Sequence, residues 1–81
     1  MSAELAAKEK VVGLKQTKRA IAAGTVQTVF LAKDADPKLT EPLCAMCRLA
    51  GIETVTDRTM SELGKACGIA VGTAACAILR K

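Results

Sequence analysis

A glycine followed by a run of basic residues stands near the start of the chain, at a spacing that could serve recognition of a polyanion. The run is Gly13-Leu14-Lys15-Gln16-Thr17-Lys18-Arg19. The glycine predicts a turn that opens a helix, and the backbone N–H groups of a helix start attract phosphate. Lys15 and Arg19 share a helix face at i, i+4, with Gln16 beside them and Lys18 less well aligned. Lysine and arginine can donate to the O6/N7 edge of guanine, and glutamine can both donate and accept.

A second segment is a helix end of small residues that runs into an apolar loop. It reads Leu63-Gly64-Lys65-Ala66-Cys67-Gly68-Ile69-Ala70-Val71-Gly72. An apolar loop suits an unstacked base, so the two segments together point to structured RNA. The glycines are not a phosphate loop, because such loops follow a strand and open a helix. For the basic segment, a solvated helix start without any ligand stays open as the alternative.

Cysteines offer the first competing chemistry. Cys44 and Cys47 have the CxxC spacing of a redox motif or of half a zinc site. They fall inside a predicted helix, whereas a redox pair begins a helix after a strand. Cys67 and Cys76 are nine residues apart, which is not the spacing of a zinc knuckle. Packed apolar cysteines are therefore the preferred interpretation, and no metal ligand or cofactor is predicted.

Carboxylates offer a second competing chemistry. Lys33-Asp34-Ala35-Asp36 follows a predicted strand, where sites are common in α/β sheets. Asp36 already has a structural task as the N-cap of the next helix. The chain has no histidine, the usual general base. We therefore predict no catalytic residue. Thr17 belongs to the basic segment that is predicted to bind RNA, although it is expected to bond the local backbone.

Composition narrows the classes of function. The 81 residues predict one domain, with formal net charge +4 and one aromatic residue, Phe30. Recognition modules that stack bases on several aromatic rings are thereby nearly excluded. No apolar run matches a signal peptide or approaches the roughly 20 residues of a membrane span. We expect a cytoplasmic protein, in which the thiols are reduced.

Helical periodicity alternates with short β-rich runs. A first helix is predicted from the Ser2 cap to near Lys10. Further helices are predicted over residues 15–23, 36–50 and 59–68, each ended by a glycine. Strands are predicted over residues 26–32, 52–56 and 73–79.

The helix over residues 36–50 carries apolar residues at helical spacing, namely Leu39, Leu43, Met46, Cys47 and Ala50. The predicted order is α-(β)-α-β-α-β-α-β, in which no residues are assigned to the bracketed strand. It predicts a three-layer α/β/α sandwich with a central mixed sheet.

The sequence resembles the L7Ae family of kink-turn RNA-binding ribosomal proteins, especially its short bacterial members. The resemblance covers roughly residues 5 to 80 and is carried by three blocks in order. They are residues 13–17, the block Val29-Phe30-Leu31-Ala32-Lys33-Asp34-Ala35-Asp36-Pro37, and residues 63–72.

The resemblance implies that the protein binds a kink-turn, a sharply bent RNA whose core consists of sheared G·A pairs. In the family an Asn-Glu pair at the positions of Lys15 and Gln16 reads guanine edges, and a lysine at the position of Arg19 assists. An acidic residue at the position of Asp36 contacts the flipped-out nucleotide. The loop corresponding to Ile69, Ala70, Val71 and Gly72 packs on that nucleotide and on the bend. Here Lys-Gln replaces Asn-Glu, as in short bacterial relatives, and Gly72 stands where other relatives often have proline.

We therefore expect a monomeric, non-enzymatic RNA-binding protein, ribosomal or ribosome-associated, whose partner is a kink-turn in ribosomal or regulatory RNA. Phosphate contacts come from the basic helix and Lys33. Two alternatives stay open: a protein–protein adaptor of the same fold, and a small thiol or metal protein that uses Cys44 and Cys47.

Overall fold

The computed structural model describes residues 9–80, in which short strands alternate with helices. The strands are β1 (Lys10–Val12), β2 (Val26–Leu31), β3 (Glu53–Val55) and β4 (Ala75–Leu79). The helices are α1 (Leu14–Ala23), α2 (Pro37–Ala50) and α3 (Met60–Cys67). The strands form one mixed sheet in the order β1-β4-β2-β3. Strands β2 and β3 run parallel, and β4 runs antiparallel to both of its neighbours.

Helices cover both faces of this sheet. Ala77 of β4 faces a cluster built with α1 and α2, whereas the next residue back, Cys76, faces a cluster built with Leu63 and Cys67 of α3. This alternation is the period-2 pattern of a strand that is buried on both sides. The small side chains of β4 let helices approach both faces closely, and Ala77 and Cys76 are fully buried. The predicted α/β/α sandwich with a mixed central sheet is confirmed.

Local capping signals account for the helix boundaries. The Asp36 carboxylate accepts the Lys38 N–H at 3.0 Å at the start of α2. At the start of α3 the Thr59 hydroxyl accepts the Glu62 N–H at 3.1 Å, and the Glu62 carboxylate accepts the Thr59 N–H at 2.9 Å. This is the predicted capping box. The helices end at glycines in the left-handed conformation, as predicted: Gly24, Gly51 and Gly68.

Two predicted boundaries are wrong. The helix predicted from Ser2 lies mostly outside the described residues, but its predicted end at Lys10 is instead the first residue of strand β1. Pairing of Val11 with Ala77 of the central strand fixes that segment as β, a long-range cause that no local signal reveals. The last strand begins at Ala75 rather than Thr73, because the Thr73 N–H donates to Met60 of α3 and not to the sheet.

The predicted apolar face of α2 is only partly buried. Leu43 and Cys47 lie in the core and Met46 packs partly buried against it, but Leu39 is 48% exposed and Ala50 is exposed. The buried face of α2 is therefore narrower than the predicted one. Within residues 9–80, none of the helices is long and apolar enough to span a bilayer.

Candidate nucleic-acid interface

The sheet topology brings the predicted site segments to one edge. Strands β1, β2 and β3 share one direction and β4 runs against them. Their register places Val12, Cys76, Phe30 and Val55 in one row across the sheet. The start of α1, the loop after β2 and the loop before β4 therefore leave the sheet at the same end. We call this end the site edge. Four strands at about 4.8 Å spacing make it about 14 Å wide, the scale of a nucleic-acid groove.

Gly13 turns the chain from β1 into α1. Its φ of 108° and ψ of 156° fall in a region that is essentially restricted to glycine. The Gly13 N–H donates to the Ala75 carbonyl at 2.8 Å, and its carbonyl accepts the Thr17 N–H at 2.9 Å. A Cβ atom at this position would also lie 2.8 Å from the Gln16 amide oxygen, so the Gln16 side chain lies over the glycine. The turn thus fixes where α1 begins and where the Gln16 side chain lies.

Side chains of α1 divide between solvent and core. Lys15, Gln16, Lys18 and Arg19 are exposed, as a ligand-binding face requires. Thr17 is fully buried and faces away from solvent. Its N–H makes the expected local backbone bond, but its hydroxyl is buried without a hydrogen-bond partner in the part of the chain that is described. Thr17 therefore has no side-chain atom available to a ligand.

The loop after β2 contributes Lys33 and two carboxylates. Lys33 is exposed, and its backbone N–H donates to the Arg58 carbonyl at 2.8 Å. The Asp34 carboxylate accepts the Met60 N–H at 2.8 Å, which ties this loop to the start of α3. Asp36 is exposed even though it caps α2, so its carboxylate is accessible from solvent. Sequence reasoning assigned no task to Asp34, because its bond spans 26 positions along the chain.

The loop before β4 presents apolar side chains. Val71 is 71% exposed, Ala70 and Gly72 are exposed, and Ile69 is partly buried. The loop is bound to α3 through the Ile69 N–H, which donates to the Gly64 carbonyl at 3.0 Å. It joins β4 where the Ala32 N–H donates to the Ala74 carbonyl at 2.8 Å, directly beside the Lys33 loop.

A groove between α1 and α2 continues the same surface. Its volume is about 340 Å³, and its lining consists of apolar and lysine side chains: Leu14, Lys15, Lys18, Lys38, Leu39, Pro42 and Leu43. Lys38 was not among the predicted site residues, and Leu39 was predicted only as part of the apolar face of α2. The Asp36-Pro37 helix start could have located them, since it fixes Lys38 in the first turn of α2 at the site edge.

Three acids near this edge are engaged in capping the helices. Two of them, Asp34 and Asp36, accept backbone N–H groups at the starts of α3 and α2. The pKa of Glu62 is lowered, first by the hydrogen bond from the Thr59 N–H, then by the Thr59 hydroxyl and by the nearby charges of Lys33 and Arg58. The hydrogen bond from the Thr59 N–H therefore favours the charged form of the Glu62 carboxylate.

The thiols have the environment of packed side chains. Cys47 and Cys76 are fully buried, and burial is the main cause that raises the pKa of both. Cys44 is partly buried and Cys67 is buried. A thiol with a raised pKa is a poor nucleophile and a poor metal ligand, because both roles need the thiolate. Among residues 9–80, no three His, Cys, Asp or Glu side chains gather as a metal site would require.

Comparison with known proteins adds to this geometry. The ribosomal protein L7Ae/L30e/S12e/Gadd45 family model matches residues 2–81. An RNA-binding protein of Bacillus pumilus is 42% identical over 69 residues, which are 85% of this chain and 84% of that protein. The large ribosomal subunit protein eL8 of Halobacterium salinarum is 38% identical over 68 residues, 83% of this chain and 57% of that protein. The solved structure of a Giardia lamblia 15.5 kD RNA-binding protein matches with a TM-score of 0.82 and 26% identity, over 89% of this chain and 61% of that one.

Proposed function

The chain belongs to the ribosomal protein L7Ae/L30e/S12e/Gadd45 family, and from that premise we propose that it binds structured RNA by recognising a kink-turn. The family and the RNA-binding and ribosomal names of its relatives bear out the prediction that the chain is not an enzyme. In this proposal the 81 residues act as one RNA-binding domain and as a monomer, in the cytoplasm, on ribosomal or regulatory RNA.

The observation that carries the proposal is the convergence at the site edge of a basic helix start, a lysine loop and an exposed apolar loop. Each of these surfaces alone has an ordinary structural explanation. A basic helix start can simply be solvated, and an exposed valine is common. Together, within about 14 Å, they offer phosphate contacts and a dry surface for a base, the combination that an irregular RNA presents.

Each site residue has a proposed task. Lys18, Lys33 and the backbone of the α1 start, opened by Gly13, contact phosphates and position the protein. Lys15, Gln16 and Arg19 read guanine edges. Thr17, being buried, holds the α1 start in place and makes no contact.

The remaining residues serve the extruded nucleotide. Ile69, Ala70, Val71 and Gly72 shelter it, and the exposed carboxylate of Asp36 accepts a hydrogen bond from it. Because these contacts exist only with the bent RNA, binding shifts a flexible RNA toward its kinked state.

A titration of two RNAs tests the proposal. One RNA carries a kink-turn, and the other has the G·A pairs replaced by Watson–Crick pairs. We expect tighter binding to the first. Neutralisation of about four phosphates should give log affinity against log salt a slope of roughly −3 to −4. Equal affinity for both RNAs would refute kink-turn recognition, and a flat salt dependence would refute the electrostatic contribution.

The same preparation separates the alternatives. An adaptor of the same fold would bind neither RNA, and a metal protein would contain stoichiometric zinc when purified without added metal. Sequencing of RNA crosslinked to the protein in cells would identify the natural partner. Cosedimentation with ribosomal subunits would test the proposed association with the ribosome.

A further inference from the structure

Gly64 lies in the interior of α3, where glycine is an unfavourable residue. It is the fifth residue of this eight-residue helix and it is buried. Its φ is not in the positive range, so the backbone conformation there does not require glycine. Glycine is among the least favourable residues in a helix interior, because it loses the most conformational freedom. A glycine at this position therefore needs a reason other than its φ and ψ.

The reason is the lack of room for a side chain at this position. A Cβ atom at Gly64 would overlap the Val71 carbonyl oxygen and would lie 3.0 Å from Gly72 Cα. Both obstacles are backbone atoms, which cannot rotate away as the end of a flexible side chain can. The loop before β4 therefore lies directly on α3, and the only side chain that fits beneath it is a hydrogen atom.

The contact continues one turn earlier along α3. The Thr73 N–H donates to the Met60 carbonyl at 3.2 Å. A Cβ atom at Gly72 would lie 3.1 Å from that same carbonyl oxygen. The Thr73 bond and the bond from the Ile69 N–H to the Gly64 carbonyl hold the loop at both of its ends. Its middle residue, Val71, is left 71% exposed beyond the helix.

We infer that Gly64 is a positioning residue: it seats residues 69–73 on α3 in the single conformation that presents Val71 at the site edge. The functional part of this inference rests on the proposed RNA binding, since the seated loop is the surface proposed to shelter the extruded nucleotide. Residues 68–74 carry no charge, so displacing the loop alters the apolar contact and leaves the electrostatic contacts unchanged.

The variant Gly64→Ala tests this inference, and Gly24→Ala is the matched control. Gly24 has φ of 74° with nothing within 4 Å of its would-be Cβ, and it ends α1. Alanine there strains the backbone without touching the loop. Two measurements are made on each purified protein: hydrogen exchange of the Ile69 and Thr73 amides in the free protein, and affinity for the kink-turn RNA per folded molecule across a salt series.

We expect Gly64→Ala to accelerate exchange of both amides at least tenfold, and to weaken kink-turn binding at least tenfold with the salt slope of the parent. Gly24→Ala should lower the melting temperature and leave loop exchange and affinity unchanged. The inference is overturned if Gly64→Ala exchanges and binds as the parent does, or if its loop loosens without loss of affinity. A parent protein that does not bind the kink-turn refutes the proposed function instead, and amide exchange alone then decides whether Gly64 seats the loop.

A second variant keeps the test decisive if Gly64→Ala does not fold. Gly72→Ala places its methyl 3.1 Å from the Met60 carbonyl oxygen, a distance that a small movement of the loop relieves. We expect faster exchange at Thr73, whose amide bonds that carbonyl, and a smaller change at Ile69. Unchanged exchange at Thr73 would show that the loop is not held against α3 by close approach.

Discussion

Replacement of Gln16 by alanine separates recognition of a base from attraction by charge. Gln16 is the third residue of α1 and its side chain is exposed, so its removal takes no packing from the core. Alanine has a slightly higher helix propensity than glutamine. The folded protein should therefore be at least as stable as the parent, and any loss of affinity cannot come from unfolding. The net charge of +4 is also unchanged.

The size of the expected loss follows from the chemistry of the amide. A primary amide offers two donor hydrogens and an acceptor, and it can form a bidentate contact with a base edge. Loss of such a contact costs about 1–3 kcal/mol. That loss corresponds to roughly a 5- to 150-fold weaker kink-turn complex. The salt slope should match that of the parent, because Lys15, Lys18, Arg19 and Lys33 are all retained.

Gln27→Ala is the matched control for this experiment. Gln27 is also an exposed glutamine, but it lies near the start of β2, whereas the site edge lies beyond Leu31 at the other end of that strand. Leu31 lies four positions further along the strand, about 13 Å away. We expect Gln27→Ala to bind as the parent does.

The affinities of the parent, Gln16→Ala and Gln27→Ala are measured by fluorescence anisotropy titrations with the kink-turn RNA and its Watson–Crick counterpart. Gln16→Ala should lose affinity for the kink-turn RNA and keep the parent's weak affinity for the other. If Gln16→Ala binds both RNAs as the parent does, the start of α1 is a basic face without base recognition, and the family's mode of reading guanine does not apply to this chain.

Three further predictions concern stability. Cys47→Ala should lower the free energy of unfolding by about 1–2 kcal/mol, and Cys44→Ala by less, because Cys44 is only partly buried. Neither variant should change the affinity for RNA. Stoichiometric zinc in the purified protein would contradict the packing role of these thiols. Thr17→Val should raise the free energy of unfolding by about 1–2 kcal/mol in denaturant titrations, since the substitution removes a buried hydroxyl without a partner. A lower free energy of unfolding would mean that the hydroxyl is bonded. Glu62→Gln should lower the melting temperature at neutral pH. The difference in melting temperature should shrink as pH falls below the ordinary pKa of 4.5 and through the lowered pKa of the folded state, because the parent's carboxylate becomes protonated there. A difference that stays constant with pH would show that the charge of Glu62 does not contribute to stability.

Features with a local cause could be predicted from the sequence. The Asp36-Pro37 start, the Thr59–Glu62 capping box and the terminal glycines act over at most a few residues, and the helices begin and end where they indicate. The end of β2 was predicted to within one residue, at Ala32 instead of Leu31, from its nearly continuous apolar run. The segments of the proposed site adjoin these boundaries, so their positions at the ends of helices and strands could be predicted.

Features that depend on distant partners could not be predicted. A strand was predicted between the first two helices, but its residues could not be assigned. Strand β1 has only three residues and exists through its pairing with β4, more than 60 positions away. The burial of Thr17 depends on how α1 lies against the sheet. Gly64 was considered only as part of a glycine pattern, although its place in a helix interior was a signal. Its actual reason, the loop that lies across it, needs the fold of residues 69–73.

The position of β4 makes the proposed site a property of the whole sheet and not of one helix. The basic start of α1 packs on one face of the sheet, and α3 with its seated loop packs on the other. The two halves meet at the start of β4, where the Gly13 N–H donates to Ala75 and the Ala32 N–H donates to Ala74. A peptide containing α1 alone would keep the charges and lose their alignment with the apolar loop. Charge alone attracts any polyanion, so the proposed preference for one bent RNA requires the fixed distance between the two surfaces, which strand β4 sets.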